Sequence, residues 1–172
     1  ELELCLEQRT LSGKASLHID PLPSGLGPVT LDLGEVDLHE VRHDEGHAIR
    51  WVREDQKIHL LGMPPHGGVV HFRYSGQPSR GLYFTGPTPA FPSRQKMVWS
   101  QCQDEDGHHL FPCIDHPGVK CTWSLSITVS DELTVVSNGE LIGTHPVDGG
   151  KTCWQWEQRR AIPAYLVTVV AG

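Results

Sequence analysis

Hydrophobic residues recur at every second position along most of this chain, and that period limits what it can fold into. In the opening ELELCLE, Leu2, Leu4 and Leu6 fall on one side of an extended backbone, and in KASLHI the residues Ala15, Leu17 and Ile19 do the same. Side chains alternate between the two faces of a strand but return every 3.6 residues in a helix, so this spacing predicts strands. VTLDL, VVHFRY, TWSLSITV and AYLVTVV continue it. Turn-forming clusters lie between them: PLPSGLGP, MPPHGG, SGQPSRG, TGPTPAFPS and HPVDGGK. Asn138-Gly139, between LTVV and ELIG, reads as a two-residue hairpin turn. With 18 glycines and 13 prolines punctuating the chain, a long helix has no place to sit. One short helix is expected, in DEDGHHLF from Asp104 to Phe111, acidic at its start and stopped by Pro112. The expected fold is all-β, a sandwich or a large twisted antiparallel sheet.

A chain of 172 residues is long enough to bury one substantial core, and one domain is the expectation. The net charge of -7, with no cluster of lysines and arginines, argues against a nucleic-acid partner. No run approaches the roughly 18 apolar residues of a membrane span, so no membrane partner is expected. Five cysteines, an odd number with no Cys-x-x-Cys pair, predict reduced thiols and a cytoplasmic protein. The chain starts at Glu1 without a signal peptide, as expected of a processed protein or a piece of a longer one.

His39-Glu40-Val41-Arg42-His43 has the spacing of the zinc metallopeptidase signature. That motif works only on a helix, where residues four apart lie about 5 to 6 Å from each other and share one ion. Here it follows a strand pattern and precedes the turn composition DEGH; on a strand His39 and His43 would stand roughly 13 Å apart. The extended versions of the motif also fail: a third histidine would be needed at Ile49, or a glutamate at Gly62. No metal ligand is therefore expected in this chain.

The stronger pattern runs from Val98 through VWSQCQDEDGHHLFPCIDHP and SNGEL to the closing AYLVTVVAG. Gln101, Gln103, Phe111, Pro112, Cys113, Asp115, Pro117, Ser137, Asn138, Gly139, Tyr165, Leu166 and Gly172 resemble, in order, the N-terminal domain of the gluzincin aminopeptidases, the family of aminopeptidase N and the leukotriene hydrolases. LSGKASLHI, VTLDLGEVDL and GLYFTG fit more loosely, so the resemblance spans the whole chain.

The resemblance implies a saddle-shaped antiparallel β-sandwich, residues 1–172, serving as the non-catalytic N-terminal domain of a larger peptidase that hydrolyses N-terminal residues from peptides. It places the catalytic zinc in another domain of the parent and no cofactor or catalytic residue here. It assigns Gln103 to the substrate's free α-ammonium and Gln101 to the pocket of the first side chain, with the peptide N-terminus and the parent's catalytic domain as partners. Where the family shows Ala-Arg, this chain has Gly107-His108, so the arginine's ion pair does not carry over. Asp115 is expected to hold the loop backbone ahead of Pro117. Cys102, His108, His109, Cys113, His116 and Cys121 match no closed zinc module, and Cys113 is expected to be a buried, inert thiol. Two other readings stay open on the residues: a catalytically dead aminopeptidase-like scaffold, or a stand-alone β-sandwich module that binds through Trp99, Trp123, Trp154 and Trp156.

Overall fold

The computed structural model describes residues 1–21 and 27–172. The turn expected in PLPSGLGP lies largely outside the described residues. The described residues form fourteen strands: β1 (Leu2–Cys5), β2 (Thr10–Ile19), β3 (Val29–Asp32), β4 (Asp37–His43), β5 (Arg50–Glu54), β6 (Lys57–Leu61), β7 (Gly68–Gly76), β8 (Gly81–Thr85), β9 (Met97–Gln101), β10 (Lys120–Ser130), β11 (Val135–Ser137), β12 (Glu140–Val147), β13 (Lys151–Pro163) and β14 (Val169–Ala171). They form a seven-stranded sheet β12-β13-β10-β1-β2-β7-β4, a four-stranded sheet β11-β14-β9-β8 and a three-stranded sheet β3-β6-β5. Every strand pair is antiparallel except β1 with β10.

The apolar positions that set the period also set the core. Leu2 and Leu4 of β1, Leu11 of β2, Phe72 and Tyr74 of β7 and Ile127 of β10 are buried with Leu82, Val98, Val135 and Val169 of the second sheet and Leu31, Ile58 and Leu60 of the third. One apolar cluster thus ties all three sheets together, the arrangement of a layered β-sandwich.

Three local expectations change. The helix expected over Asp104–Phe111 is a single 3-10 turn, Gly107–His109. An α-helix would need the His108 N–H for the carbonyl four residues back, but here it donates to Asp115 Oδ2 at 3.0 Å. The final strand AYLVTVV is broken into a second 3-10 turn, Ala164–Leu166, and β14, so two such turns replace the one short helix.

The third change is at Asn138-Gly139, which is a corner between sheets instead of a hairpin turn. β11 pairs with β14 and β12 with β13. Asn138 Oδ1 accepts the Thr168 N–H at 2.6 Å, and the Ser137 hydroxyl donates to the Thr168 carbonyl at 2.6 Å. Gly139, at φ 88°, runs so close to β13 that a Cβ there would lie 2.0 Å from the Glu157 carbonyl oxygen. Side-chain hydrogen bonds to one sheet and close backbone approach to the other override the hairpin signal. The tight hairpin next to it joins β12 to β13 through Asp148-Gly149-Gly150.

Candidate functional site

The segment between β9 and β10 carries the candidate site. β9 lies inside the four-stranded sheet, between β8 and β14; β14 pairs with it as far as Trp99, and its last residue, Gln101, is held by Gly81 of β8. Gln101 is the last residue of β9 and Gln103 follows one residue on; both are exposed, while Cys102 between them is buried. This keeps the alternation of an extended chain, with Cys102 as the inward peg and the two amides outward. The Cys102 thiol reaches the Gly81 carbonyl at 3.5 Å, and burial pushes its pKa up to about 12. The Gln103–Asp104 peptide is cis.

Behind this turn is a buried polar network. Asp115 Oδ2 accepts both the His108 N–H at 3.0 Å and the His108 ring at Nδ1, 2.8 Å away, while His108 Nε2 sits 3.0 Å from Gln56 Oε1. The Asp115 N–H donates to Asp32 Oδ2 at 3.0 Å, and Lys57 Nζ donates to Asp32 Oδ1 at 2.6 Å. Partial burial pushes the Asp32 carboxyl up, but these two donors outweigh it and hold the group below its ordinary value. Asp115 is buried and gives its Oδ2 to a backbone and a ring donor, the structural role expected of it. His108 partners the carboxylate directly, where the family's arginine was missing. Arg80 pairs with the buried Asp106 at 3.0 Å and closes the other side of the turn.

His109 is fully buried; burial first, and then its neighbour His108, holds its pKa below the usual imidazole value. Burial likewise raises the Cys113 thiol far above the ordinary range. Cys102, His108, His109, Cys113, His116 and Cys121 do not converge as a ligand set among the described residues. A cleft of about 800 Å³ opens beside the network, with Asp32, Glu54, Asp55, Glu105 and Asp115 in its wall.

All five thiols are unpaired; Cys102, Cys113 and Cys153 are buried and Cys121 is exposed. A thiol-specific chromogenic disulfide should titrate only Cys5 and Cys121 in the native chain, with Cys121 slowed by the partial burial that raises its thiol pKa. The other three should react only in denaturant. Rapid native reaction of all five would contradict this burial.

Residues 1–166 match the family described as the Peptidase M1 N-terminal domain. The chain belongs to that family. It is 38% identical over 90 residues to leucine aminopeptidase 2 of Emericella nidulans, covering 49% of this chain and 14% of that protein. It is 25% identical over 189 aligned positions to leucine aminopeptidase 2 of Phaeosphaeria nodorum, covering 100% of this chain and 30% of the relative. The chain thus spans under a third of the length of these relatives. The same fold recurs in native yeast LTA4 hydrolase, at a TM-score of 0.82 and 24% identity over 99% of this chain and 27% of that one. It recurs also in an M1 zinc metallopeptidase of Deinococcus radiodurans, at 0.77 and 23% over 95% and 38%.

The zinc that goes with this family does not fit the HEVRH segment of the M1 domain described here. His39 and His43 lie on β4, one exposed and one buried, because a register shift follows Leu38. His39 Nε2 lies 2.7 Å from the Ser75 hydroxyl and His43 Nε2 3.1 Å from the Gly67 carbonyl. At about 3.3 Å per residue those partners are roughly 25 Å apart along the chain.

The pairing that the pentapeptide obscured is His43 with His47. Gly46 (φ 87°) closes a turn in which the Gly46 N–H reaches the His43 carbonyl and the His43 N–H the His47 carbonyl, each at 2.9 Å. The two rings stack with centroids 4.9 Å apart. The signal was present in HDEGH, a turn composition ending in glycine between two histidines, and is a hairpin signature rather than a helical one.

Proposed function

We propose that residues 1–172 form the non-catalytic N-terminal domain of a zinc aminopeptidase and supply the anchor for the substrate's α-ammonium. The observation that carries this is the exposed pair Gln101 and Gln103 on the held end of β9, in a chain that belongs to the M1 N-terminal family. In this reading the Gln103 side-chain carbonyl accepts from the ammonium, and Gln101 borders the pocket for the first side chain. A neutral oxygen gives a weaker contact than a carboxylate would. The exposed Asp104 and Glu105 next to it add negative potential that favours a cation.

The catalytic zinc and the water it activates belong in this reading to the parent's catalytic domain, against which this domain forms one wall of the cleft. Relatives of the same fold support a peptide partner, since an M1 zinc metallopeptidase has been solved with a Tyr-Ser-Ala substrate and yeast LTA4 hydrolase with Bestatin. The five unpaired thiols support a cytoplasmic location.

The test uses the full-length parent. A lost hydrogen bond to a charged group is worth about 1.5–3 kcal/mol, so Gln103→Ala should lower kcat/KM for free-amine peptides by about tenfold to a hundredfold. Gln103→Glu should keep or raise it. An alanine variant that retains the parent's kcat/KM would remove Gln103 from this role. A parent without zinc ligands downstream would instead be the inactive scaffold.

A further inference from the structure

We propose that His43, Glu45, His47 and His66 form a binding site for one borderline-soft divalent transition-metal ion such as Zn2+, separate from the catalytic metal and beyond the aminopeptidase reading. Among the described residues, His43, Glu45 and His47 are the one group of three ligand-bearing side chains that converges, with one ligand atom from each within 4.8 Å of the others. Glu45 Oε2 lies 3.7 Å from His43 Nδ1 and 3.8 Å from His47 Nδ1. Glu45 Oε1 lies 3.3 Å from His66 Nε2. Four ligands bound tetrahedrally at about 2.1 Å are separated by about 3.4 Å, which the three Glu45 contacts match within a few tenths of an ångström; His66 stands outside the converging three and closes on the ion by a turn of its exposed side chain.

The orientation of His43 fits a ligand. Its Nε2 faces the Gly67 carbonyl, which only accepts, so Nε2 carries a hydrogen, and Nδ1, 3.3 Å from the Glu45 N–H, is the nitrogen turned toward the carboxylates. A histidine that donates through one nitrogen to a backbone carbonyl and ligates through the other is the usual second-shell arrangement of metal sites. The ring is locked in that pose: His43 is buried, and a Cβ on Gly68 would fall 2.4 Å from its Nε2.

Charge points the same way. The Asp44 carboxylate is 2.9 Å from His43 Nδ1, and every ion-pair partner of Asp44 and Glu45 among the described residues is a histidine. Two carboxylates and the imidazoles thus meet, among the described residues, with no lysine or arginine paired to them, and a bound cation supplies the missing charge. Three imidazoles with one carboxylate select zinc-like ions over calcium or magnesium, which take oxygen ligands. The ion would join the β4 edge, the 43–47 turn and the loop before β7, where His66 sits.

The 172-residue chain has its own continuous core, so it can be titrated directly. Added Co2+, a spectroscopic stand-in for Zn2+, should bind one to one and give the intense visible absorption of a four-coordinate site; Zn2+ should displace it and raise the Tm. His47→Ala and His66→Ala, at exposed positions where folding is checked by circular dichroism, should each weaken binding by about a hundredfold and abolish the bands. His145→Ala, at an exposed histidine elsewhere, should leave them unchanged. Calcium should give no Tm shift. Absence of a one-to-one complex at micromolar ion, or bands that persist in either the His47 or the His66 variant, would overturn the assignment.

Discussion

Asp115→Ala is expected to destabilise the chain by about 3 kcal/mol, the cost of taking a charged acceptor away from two closely held donors. The Asp115 side chain is 2% exposed and receives two donors, the His108 N–H and ring, while the residue's own N–H is spent on Asp32. Alanine would leave the His108 N–H and ring without the acceptor that holds them at the wall of the cleft. For a chain of this size the loss corresponds to a Tm lower by roughly 10 °C. Asp115→Asn keeps an acceptor for the His108 N–H and should recover about half of the loss. Urea unfolding of the three proteins measures this; a loss below about 1 kcal/mol in the alanine variant would show that the network does not hold the turn.

The same network ties stability to function, because it fixes the stretch that begins with the two glutamines. Asp106 bonds to Arg80, His108 to Asp115, and Asp115 to Asp32 at the end of β3. Gln101 and Gln103 therefore lead into a turn whose inner residues are held by Arg80, just before β8, and through Asp115 by Asp32 of β3. An anchor for a substrate amine needs that rigidity, since displacement by about 1 Å costs a hydrogen bond most of its strength. A small drop in kcat/KM is thus also expected for Asp115→Asn in the parent, with Gln103 intact.

Much of this was legible from residue order. Alternation in ELELCLE, KASLHI and VVHFRY marked β1, β2 and β7, and the buried residues Leu2, Leu4, Val70, Phe72 and Tyr74 are those the period selects. The Gln-x-Gln and Phe-Pro-Cys-x-Asp-x-Pro spacings marked the family. Local patterns failed where distant groups compete for the same backbone. Asn138-Gly139 looks like a hairpin because nothing nearby shows that Thr168 will take the Asn138 side chain. DEDGHHLF looks helical because nothing in it shows that Asp115 will take the His108 amide. His43 and His47 match neither the helical nor the strand spacing of a shared site, and their approach across a turn comes from the glycine between them. Each miss is a tertiary hydrogen bond or a turn overriding a local preference.

Gly13→Ala is expected to cost about 3 kcal/mol or more, as much as losing the Tyr74 ring itself. Gly13 on β2 pairs with Tyr74 on β7, and the ring lies flat over it: a Cβ at position 13 would meet Tyr74 Cζ at 2.1 Å and its oxygen at 2.4 Å. Tyr74 is 1% exposed, and its hydroxyl donates to the Leu110 carbonyl at 2.8 Å, with burial raising its pKa so that it stays protonated. The ring cannot slide without breaking that bond and opening the core, where truncating a large aromatic costs about 3–5 kcal/mol. The two sites are therefore coupled. In Gly13→Ala/Tyr74→Ala the added methyl has room, and the double variant should be destabilised by clearly less than the sum of the single ones. Strict additivity in denaturant titrations would mean that the ring and the glycine do not share one space, and that the seven-stranded sheet packs differently at its centre.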